Sequence, residues 1–418
     1  MKDDRLVIKL FENKQDCCAC GACYNICPKN AIEMIIDEYG FKYPKIDYNK
    51  CIGCGACKKV CAFQNIIEKN EPLQVVAAAR KDENKIMKSA SGGIFAVFAE
   101  YFLSIGGIVY GAALVNENDT LVPKHIGINS LENLDKLLGS KYVQSDIGNV
   151  YKEIRTLLND KKQILFSGTP CQVAGLKAFL GKEYDNLFTI DIICHGVPNA
   201  EFFKGYLEIL EKKFNGKILD FKFRDKKDGW GPYILSADIL KQNKLQKERK
   251  YIYLDESTYA SMFLYTDILR LNCYKCKYTN KHRTGDITIG DYWGIEKEHP
   301  ELLKVNGGLL DTKKGISAII INTEKGKLRV EKLGKDIIYF ATTYEKVANM
   351  NIQLKEPSKY GKYRNEIMDL YKTGGFNKVD KYYYNEVLKK FAIKIVIKKY
   401  IPKSLLGKMK YIYRLIKK

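Results

Sequence analysis

The 418-residue chain contains no run of eighteen apolar residues, so no transmembrane helix is expected. Its first stretch, "MKDDRLVIKLFENKQD", lacks the apolar core of a signal peptide, and with it the export that structural disulfides require. No zinc-finger, helix-turn-helix or RNA-binding signature occurs, so nucleic acid is not expected as a partner. The formal net charge of +21 does not change this. Much of the excess sits at the tail, where residues 378–418 hold thirteen Lys or Arg against Asp380 and Glu386, a net of +11. What the chain does have is cysteine, thirteen in all. Without an export signal these read as thiols kept reduced in a cytoplasm and used as ligands.

Nine of the thirteen fall in two short runs. "CCACGACYNICP", residues 17–28, and "CIGCGACKKVCA", residues 51–62, both contain C-x2-C-x2-C-x3-C. Cys17, Cys20, Cys23 and Cys27 form the first frame, and Cys51, Cys54, Cys57 and Cys61 the second. Cys18 fits neither. Three thiolates two residues apart let one tight loop wrap three corners of a 4Fe–4S cubane, and the fourth corner is filled from elsewhere. In two-motif proteins the last cysteine of each run usually serves the other cluster. The expected ligand sets are therefore Cys17, Cys20, Cys23 and Cys61, and Cys51, Cys54, Cys57 and Cys27. Gly21, Gly53 and Gly55 suit loops folded this tightly. A structural zinc site wants four ligands and does not explain a duplicated eight-cysteine pattern. The segment resembles bacterial dicluster ferredoxins, with Pro28 after the first run as in those proteins and Ala62 after the second as a departure.

The length suggests two or three domains, and 46% hydrophobic with 28% charged residues is a folded composition. Between the runs, "AIEMIIDEYGFKYPKID" reads as a β-hairpin turning at Tyr39-Gly40. "EKNEPLQ", residues 68–74, reads as a linker. From about residue 75, β-rich runs such as "GGIVYGAALV", "KKQILFSG" and "NLFTIDIIC" alternate with helical stretches, which is α/β organisation with some parallel sheet. The expected fold class is thus α+β and α/β. A small dicluster ferredoxin-like domain (1–69) precedes a mixed α/β core (70–345) and a basic helical extension (346–418).

The other four cysteines fall in the core. "KKQILFSGTPCQVAGLKAFL" reads as strand, turn and helix, with Thr169 as N-cap, Pro170 first and Cys171 in the first turn, where the helix dipole favours a thiolate. "NLFTIDIICHGVPNAEFFKGYLEIL" repeats the plan, with Cys194 at the strand's carboxyl end and a helix from about Asn199. Successive strands of an open α/β sheet share one rim, so Cys171 and Cys194 are expected there together. Cys273 and Cys276 form a C-x2-C pair in a loop after a helix at about residues 256–270. Four cysteines so placed suggest a third metal site, holding either a cluster or zinc. A buried thiol or, for Cys171, a nucleophile is the plainer alternative.

"SASGG", "GSKYVQS", "SGTPCQVAGL", "CHGVPN", "FRDKKDGWG", "CYKCKY" and "GDITIGDYWG", in this order, resemble the beta subunit of the coenzyme F-420-reducing hydrogenases. Its relatives include F-420H2 dehydrogenases and plant hydroxymethyl-chlorophyll reductase. The likeness spans about residues 70–310. It implies a core that binds FAD and a 4Fe–4S cluster, the latter on Cys171, Cys194, Cys273 and Cys276. Amides of Ser91, Gly92 and Gly93, opening a helix, suit the pyrophosphate. Lys141, Tyr142 and Gln144, with Ser167, Gly168 and Thr169 beside Cys171, are the further flavin candidates. Lys141 is a candidate for stabilising charge on reduced flavin, and His195 for proton transfer. Arg224, Asp225, Trp230 and residues 286–293 are candidates for shaping the pocket.

Cubanes handle single electrons and flavin handles pairs, so the expected activity is an iron–sulfur flavoprotein oxidoreductase. Electrons would enter from a ferredoxin or partner redox subunit and reach a small organic acceptor such as coenzyme F-420. An adaptor without its own substrate, or a reductase of a sugar-linked precursor of surface polysaccharide, is the alternative. "SLLGKMKYIYRLIKK" gathers Leu405, Leu406, Met409, Ile412, Tyr413 and Ile416 on one helical face. That face suits peripheral contact with the inner membrane surface or docking on protein.

Overall fold

The computed structural model describes residues 8–65, 69–231, 233–241 and 246–390. In the cysteine-rich segment the two runs build the same local structure twice. Each has left-handed residues two apart, Ala19 and Gly21 in the first and Gly53 and Gly55 in the second. One turn of helix follows, α1 (Ala22–Ile26) and α2 (Ala56–Lys59), with Gly21 and Gly55 as N-caps at φ +79° and +70°. The lack of a Cβ makes that conformation available at little cost. Between them β1 (Ile32–Ile36) and β2 (Lys42–Ile46) pair antiparallel.

The rest is mixed α/β. The chain runs β3 (Gln74–Arg80), α3 (Glu83–Lys88), α4 (Ile94–Ser104), β4 (Ile108–Glu117), β5 (Thr120–Ile128), α5 (Val150–Asn159), β6 (Ile164–Gly168), α6 (Pro170–Leu180), β7 (Leu187–Ile192) and α7 (Ala200–Phe214). An antiparallel meander follows, β8 (Gly216–Lys222), β9 (Ile234–Lys241) and β10 (Lys247–Tyr253). The order then is α8 (Thr258–Leu264), β11 (Ile287–Asp291), α9 (Ile295–Glu298), β12 (Ser317–Ile321), α10 (Glu324–Lys332), β13 (Ile337–Thr342), α11 (Tyr344–Met350) and α12 (Arg364–Tyr383).

Eight strands form one sheet in the order β13-β3-β12-β11-β7-β6-β4-β5. β4, β6, β7 and β11 are parallel. β12 is antiparallel to both β11 and β3, so β3 points the same way as those four. Five carboxyl ends therefore open on one rim, where α/β sheets bind ligands.

Side chains alternate across the sheet. Val76 and Ala78 of β3 pack with Ile94, Phe98 and Phe102 of α4 on one face, and Val75, Ala77 and Ala79 with Val347 and Ala348 of α11 on the other. On β6, Leu165 joins the α4 face, while Ile164 and Phe166 meet Ile154 of α5 and Val173 and Leu176 of α6. The cysteine-rich segment seats on α5 and α6: Cys18, Cys20, Ala22, Val60, Ala62 and Phe63 are buried in that same layer. Within the expected linker, Asn70 exchanges both backbone hydrogen bonds with Arg283.

One stretch departs from expectation. The helix placed at about residues 256–270 stops at Leu264, and Thr266 takes φ +64°. The cause is Asp267, whose carboxylate accepts from Tyr363 N and Tyr383 Oη and so draws the chain towards α12. α12 itself is packed into the protein, burying Ile367, Met368, Phe376 and Val379 beside Phe202 and Phe203 of α7. The amphipathic stretch at residues 404–418 lies outside the described residues.

Where β7 meets β11, Arg283 Nη2 donates to Asp191 Oδ1 at 2.9 Å with both side chains almost wholly buried. Asp191 Oδ2 also accepts from Thr284 N, Thr284 Oγ1 and Gly285 N. Breaking such a satisfied pair from one side leaves an uncompensated charge. Arg283→Met is expected to cost about 3–5 kcal/mol, seen as a lower urea midpoint; an unchanged midpoint would contradict this.

Candidate redox site

No disulfide joins any of the thirteen cysteines. Cys23 lies within electrostatic reach of Cys20, Cys17 and Cys61, and Cys17 of Cys20 and Cys61. Burial first, and these neighbours after it, push Cys17 up to about 11 and Cys23 well above the ordinary thiol value. Cys57 is raised by burial and by Cys51 and Cys54, and Cys27 packs on the same apolar cluster as Cys51 and Cys57. Sulfurs of the two runs thus lie near one another, Cys57 among the neighbours of Cys23 and Cys23 on the same apolar cluster as Cys27 and Cys51. Ala19 N donates to Cys17 Sγ at 3.4 Å and Ala31 N to Cys27 Sγ at 3.2 Å, the kind of bond that tunes a cluster.

Cys18, spare by spacing, occupies the place that exposed Ile52 holds in the second run, yet it is only 3% exposed. Its thiol lies among the buried neighbours of Cys20 and Cys171 and interacts with both sulfurs. That interaction draws Cys20 down, and Cys171 to about 7, while Cys18 rises well above the ordinary value. The approach depends on Gly175 of α6, where a Cβ would stand 2.9 Å from both Cβ and Sγ of Cys20. Ala62, which replaces the second proline, is buried and accepts from Tyr278 Oη through its carbonyl.

The four core cysteines also converge. Thr169 caps α6, Pro170 opens it, and Cys171 lies in its first turn with Thr169 Oγ1 3.2 Å from its sulfur. Cys273 lies inside, and Cys276 caps, a 3-10 turn at Leu271–Lys275. Cys194, beyond β7, feels Cys273, Cys171 and Cys276, but burial is the first cause of its strong upward shift. Burial likewise pushes Cys273 up to about 12 and Cys276 to about 11. Buried thiols that would repel one another as thiolates suit a metal group, which deprotonates its ligands outright. Among the described residues, no group of three or more His, Cys, Asp or Glu side chains stands in metal-holding geometry.

Against Cys194 opens a cavity of about 280 Å³ at the strand rim. Ser91, Gly93, Lys141, Tyr142, Gln144, Ser167, Gly168, Thr169 and His195 all line it. Gly92 does not: its N–H donates to Ser317 Oγ at 2.9 Å, and a Cβ there would lie 2.6 Å from Ala78 O. Ile94, Phe95 and Ala96, the first turn of α4, also line the wall, and Gly93 at the N-cap offers their amides no side-chain acceptor. Trp230 and Asp291 complete one side, joined by Trp230 Nε1 donating to Asp291 Oδ1 at 2.7 Å. Arg224 lies 4.0 Å from the ring centroids of both Trp230 and Tyr233.

Lys141 Nζ donates to Leu138 O at 2.6 Å and Lys136 O at 3.2 Å, and burial pulls it down to about 7. Gln144 donates through Nε2 to Cys18 O and accepts from Arg270 at Oε1. His195 Nε2 lies 3.2 Å from Phe263 O, an acceptor, so it carries the proton, and Nδ1 accepts from Gln353 Nε2 at 3.1 Å. Both nitrogens are committed to protein. His125 of β5, which no motif singled out, lines the cavity with Nδ1 2.7 Å from Ser145 Oγ and Nε2 3.0 Å from Ser167 O. Burial lowers it to about 4, so it is neutral. Its one signal is the inward alternation Leu121, Pro123, His125.

Residues 16–65 match the 4Fe-4S dicluster domain, and residues 161–364 match the C terminus of the coenzyme F-420 hydrogenase/dehydrogenase beta subunit. The chain thus carries a segment matching the C terminus of the coenzyme F-420 hydrogenase/dehydrogenase beta subunit, preceded by a 4Fe-4S dicluster domain. An uncharacterized ferredoxin of Methanocaldococcus jannaschii is 32% identical over 83 residues, which is 20% of this chain and 100% of that one. A chain of the F-420-reducing NiFe hydrogenase complex of Methanosarcina barkeri, solved as a xenon derivative, matches at 16% identity with a TM-score of 0.40, over 76% of this chain and 94% of its own. The chain is an iron–sulfur electron-transfer protein related to the F-420 hydrogenase/dehydrogenase beta subunit. Among the described residues, no helix is long and apolar enough to cross a membrane.

Lys226 is a second buried lysine drawn to about 7 by burial, donating to Ile86 O, Ser91 O and Lys314 O. Both values fall from 10.5, so between pH 7 and 10.5 the unfolded chain binds more protons and stability rises with pH. Below about 7 that gain is absent. Lys141→Met removes one contributor, so the rise in urea midpoint of the cofactor-free protein from about pH 7 to about pH 9 should be smaller than in wild type. An equal rise would contradict the depressed Lys141.

Proposed function

We propose that the chain is an iron–sulfur flavoprotein relaying electrons among three 4Fe–4S clusters, FAD and a small organic acceptor. The observation that carries this is the rim cavity, whose wall includes Cys194 of the core set. That set in turn meets the amino-terminal set through Cys18. In this reading residues 1–69 carry the dicluster unit and residues 70–345 the flavin core. When bound, the cubanes carry single electrons and FAD accepts two, so together they convert between the two currencies.

The residues present fit these groups. Cys17, Cys20, Cys23 and Cys61, then Cys27, Cys51, Cys54 and Cys57, then Cys171, Cys194, Cys273 and Cys276 each supply four thiolates. The first turn of α4 behind Gly93 offers uncapped amides to a pyrophosphate. Tyr142, stacked on Phe263 with centroids 4.5 Å apart, gives the cavity an apolar wall suited to a flat ring system. Lys141 Nζ, drawn to about 7 by burial, takes up a proton when negative charge gathers beside it. His195, with both nitrogens engaged, holds the wall in place.

Coenzyme F-420 heads the acceptor screen, because the family named for it matches residues 161–364. A small ferredoxin or a partner redox subunit is the expected exchange partner at the amino-terminal clusters.

The test is iron, acid-labile sulfide, zinc and flavin per chain after anaerobic reconstitution. About twelve iron, about twelve sulfide and about one FAD are expected, and Cys194→Ala should bring iron to about eight. About eight iron in wild type, with zinc or without flavin, would leave an electron-transfer adaptor in place of the enzyme.

A further inference from the structure

Arg270 is fully buried at the seam between the cysteine-rich segment and the core. Its Nε donates to Cys17 O at 3.1 Å, its Nη2 to Lys42 O at 2.7 Å and its Nη1 to Gln144 Oε1 at 3.3 Å. The guanidinium lies 4.1 Å from the centroid of the Tyr43 ring. Its own backbone belongs to the core: Arg270 N donates to Val197 O, and Arg270 O accepts from Cys273 N. One cation therefore touches the first amino-terminal set at Cys17 while hanging from the turn that carries Cys273.

Among the described residues every acceptor of Arg270 is a neutral oxygen, whereas the equally buried Arg283 has Asp191. A guanidinium does not shed its proton in a protein, and a buried charge without a counter-charge is costly. The sulfurs that feel its charge include those of Cys17, Cys171 and Cys273, from two different ligand sets. Cys57, of the remaining set, responds to Cys51 and Cys54.

We propose that Arg270 is the counter-charge shared by the cluster on Cys17, Cys20, Cys23 and Cys61 and the cluster on the four core cysteines, fixing the potentials between which one electron passes. This rests on both sets holding 4Fe–4S clusters. An added electron makes a cluster more anionic, and a fixed cation beside it lowers the energy of that reduced form. Arg270 thus raises both midpoints together, while the cluster on Cys27, Cys51, Cys54 and Cys57 is left where its own surroundings set it. Arg270 acts as a positioning and electrostatic residue and touches no substrate.

The test is an EPR-monitored redox titration of the full-length, iron-loaded protein as wild type, Arg270→Gln and Arg270→Lys, with iron counted in each. In Arg270→Gln two midpoints should move negative by at least about tenfold in the one-electron equilibrium constant, 59 mV, with the third unmoved as internal reference. Arg270→Lys keeps the charge and should stay near wild type. Unmoved midpoints in an iron-full Arg270→Gln protein, or an equal shift of all three, overturn the proposal. If Arg270→Gln loses its iron, Arg270→Lys decides alone: wild-type potentials uphold the proposal and a shift beyond tenfold overturns it. A wild type with about eight iron removes the core cluster and the proposal with it, whereas a full complement with unmoved midpoints removes the proposal alone.

Discussion

Burying sulfur is the constraint on which the rest of this structure depends. In the proposed reading twelve cysteines fall into three sets of four, and those of their thiols that are most enclosed are driven towards the neutral form by burial and by one another. Neutral thiols are weak donors of no particular order; thiolates packed together repel. Bound iron would resolve the conflict by taking the protons off these thiols and supplying the cation around which the loops close. The local devices follow from that need: paired left-handed residues before each one-turn helix, backbone N–H groups aimed at Cys17 and Cys27, and Cys171 held in the first turn of α6.

The second consequence is the way the cysteine-rich segment joins the core. It is built into the face of the sheet covered by α5 and α6, at a distance set by the missing side chain of Gly175. Contacts that cross the seam beside the sulfurs include Cys18 to Cys171, Tyr278 to Ala62, and Arg270 to Cys17. Gln144 ties the seam to the cavity, with one end on Cys18 and Arg270 and its residue on the cavity wall. The strand rim does the remaining positioning, because β3, β6, β7 and β11 deliver Ser91, Thr169, Cys194 and Asp291 to the same end of the sheet.

What could be read from the sequence was whatever short-range chemistry dictates. The cysteine spacing defines loops that need no distant information, and the pattern around Thr169-Pro170-Cys171 fixes a helix start locally. The hairpin at Tyr39-Gly40 and the shared rim of β6 and β7 follow equally from local pattern and α/β geometry. Contacts made across the chain were not legible. Cys18 fits no ligand frame, and only the seat on α6 shows what its thiol touches. The helix ending at Leu264 is cut short by a carboxylate bonded to α12, about a hundred residues on. Gly92 reads like Gly93, but its amide is spent on Ser317. His125 carries no motif, and its place in the cavity comes from strand register alone.

The most direct test of the account is the magnetic interaction among the clusters in the fully reduced protein. If the core set lies against the first amino-terminal set, the EPR spectrum of wild type minus that of Cys194→Ala should leave a core signal broadened by spin–spin coupling. A difference spectrum of one sharp, isolated cluster, in protein shown to hold its full iron, would contradict the contact through Cys18 and Arg270 on which the electron path is built.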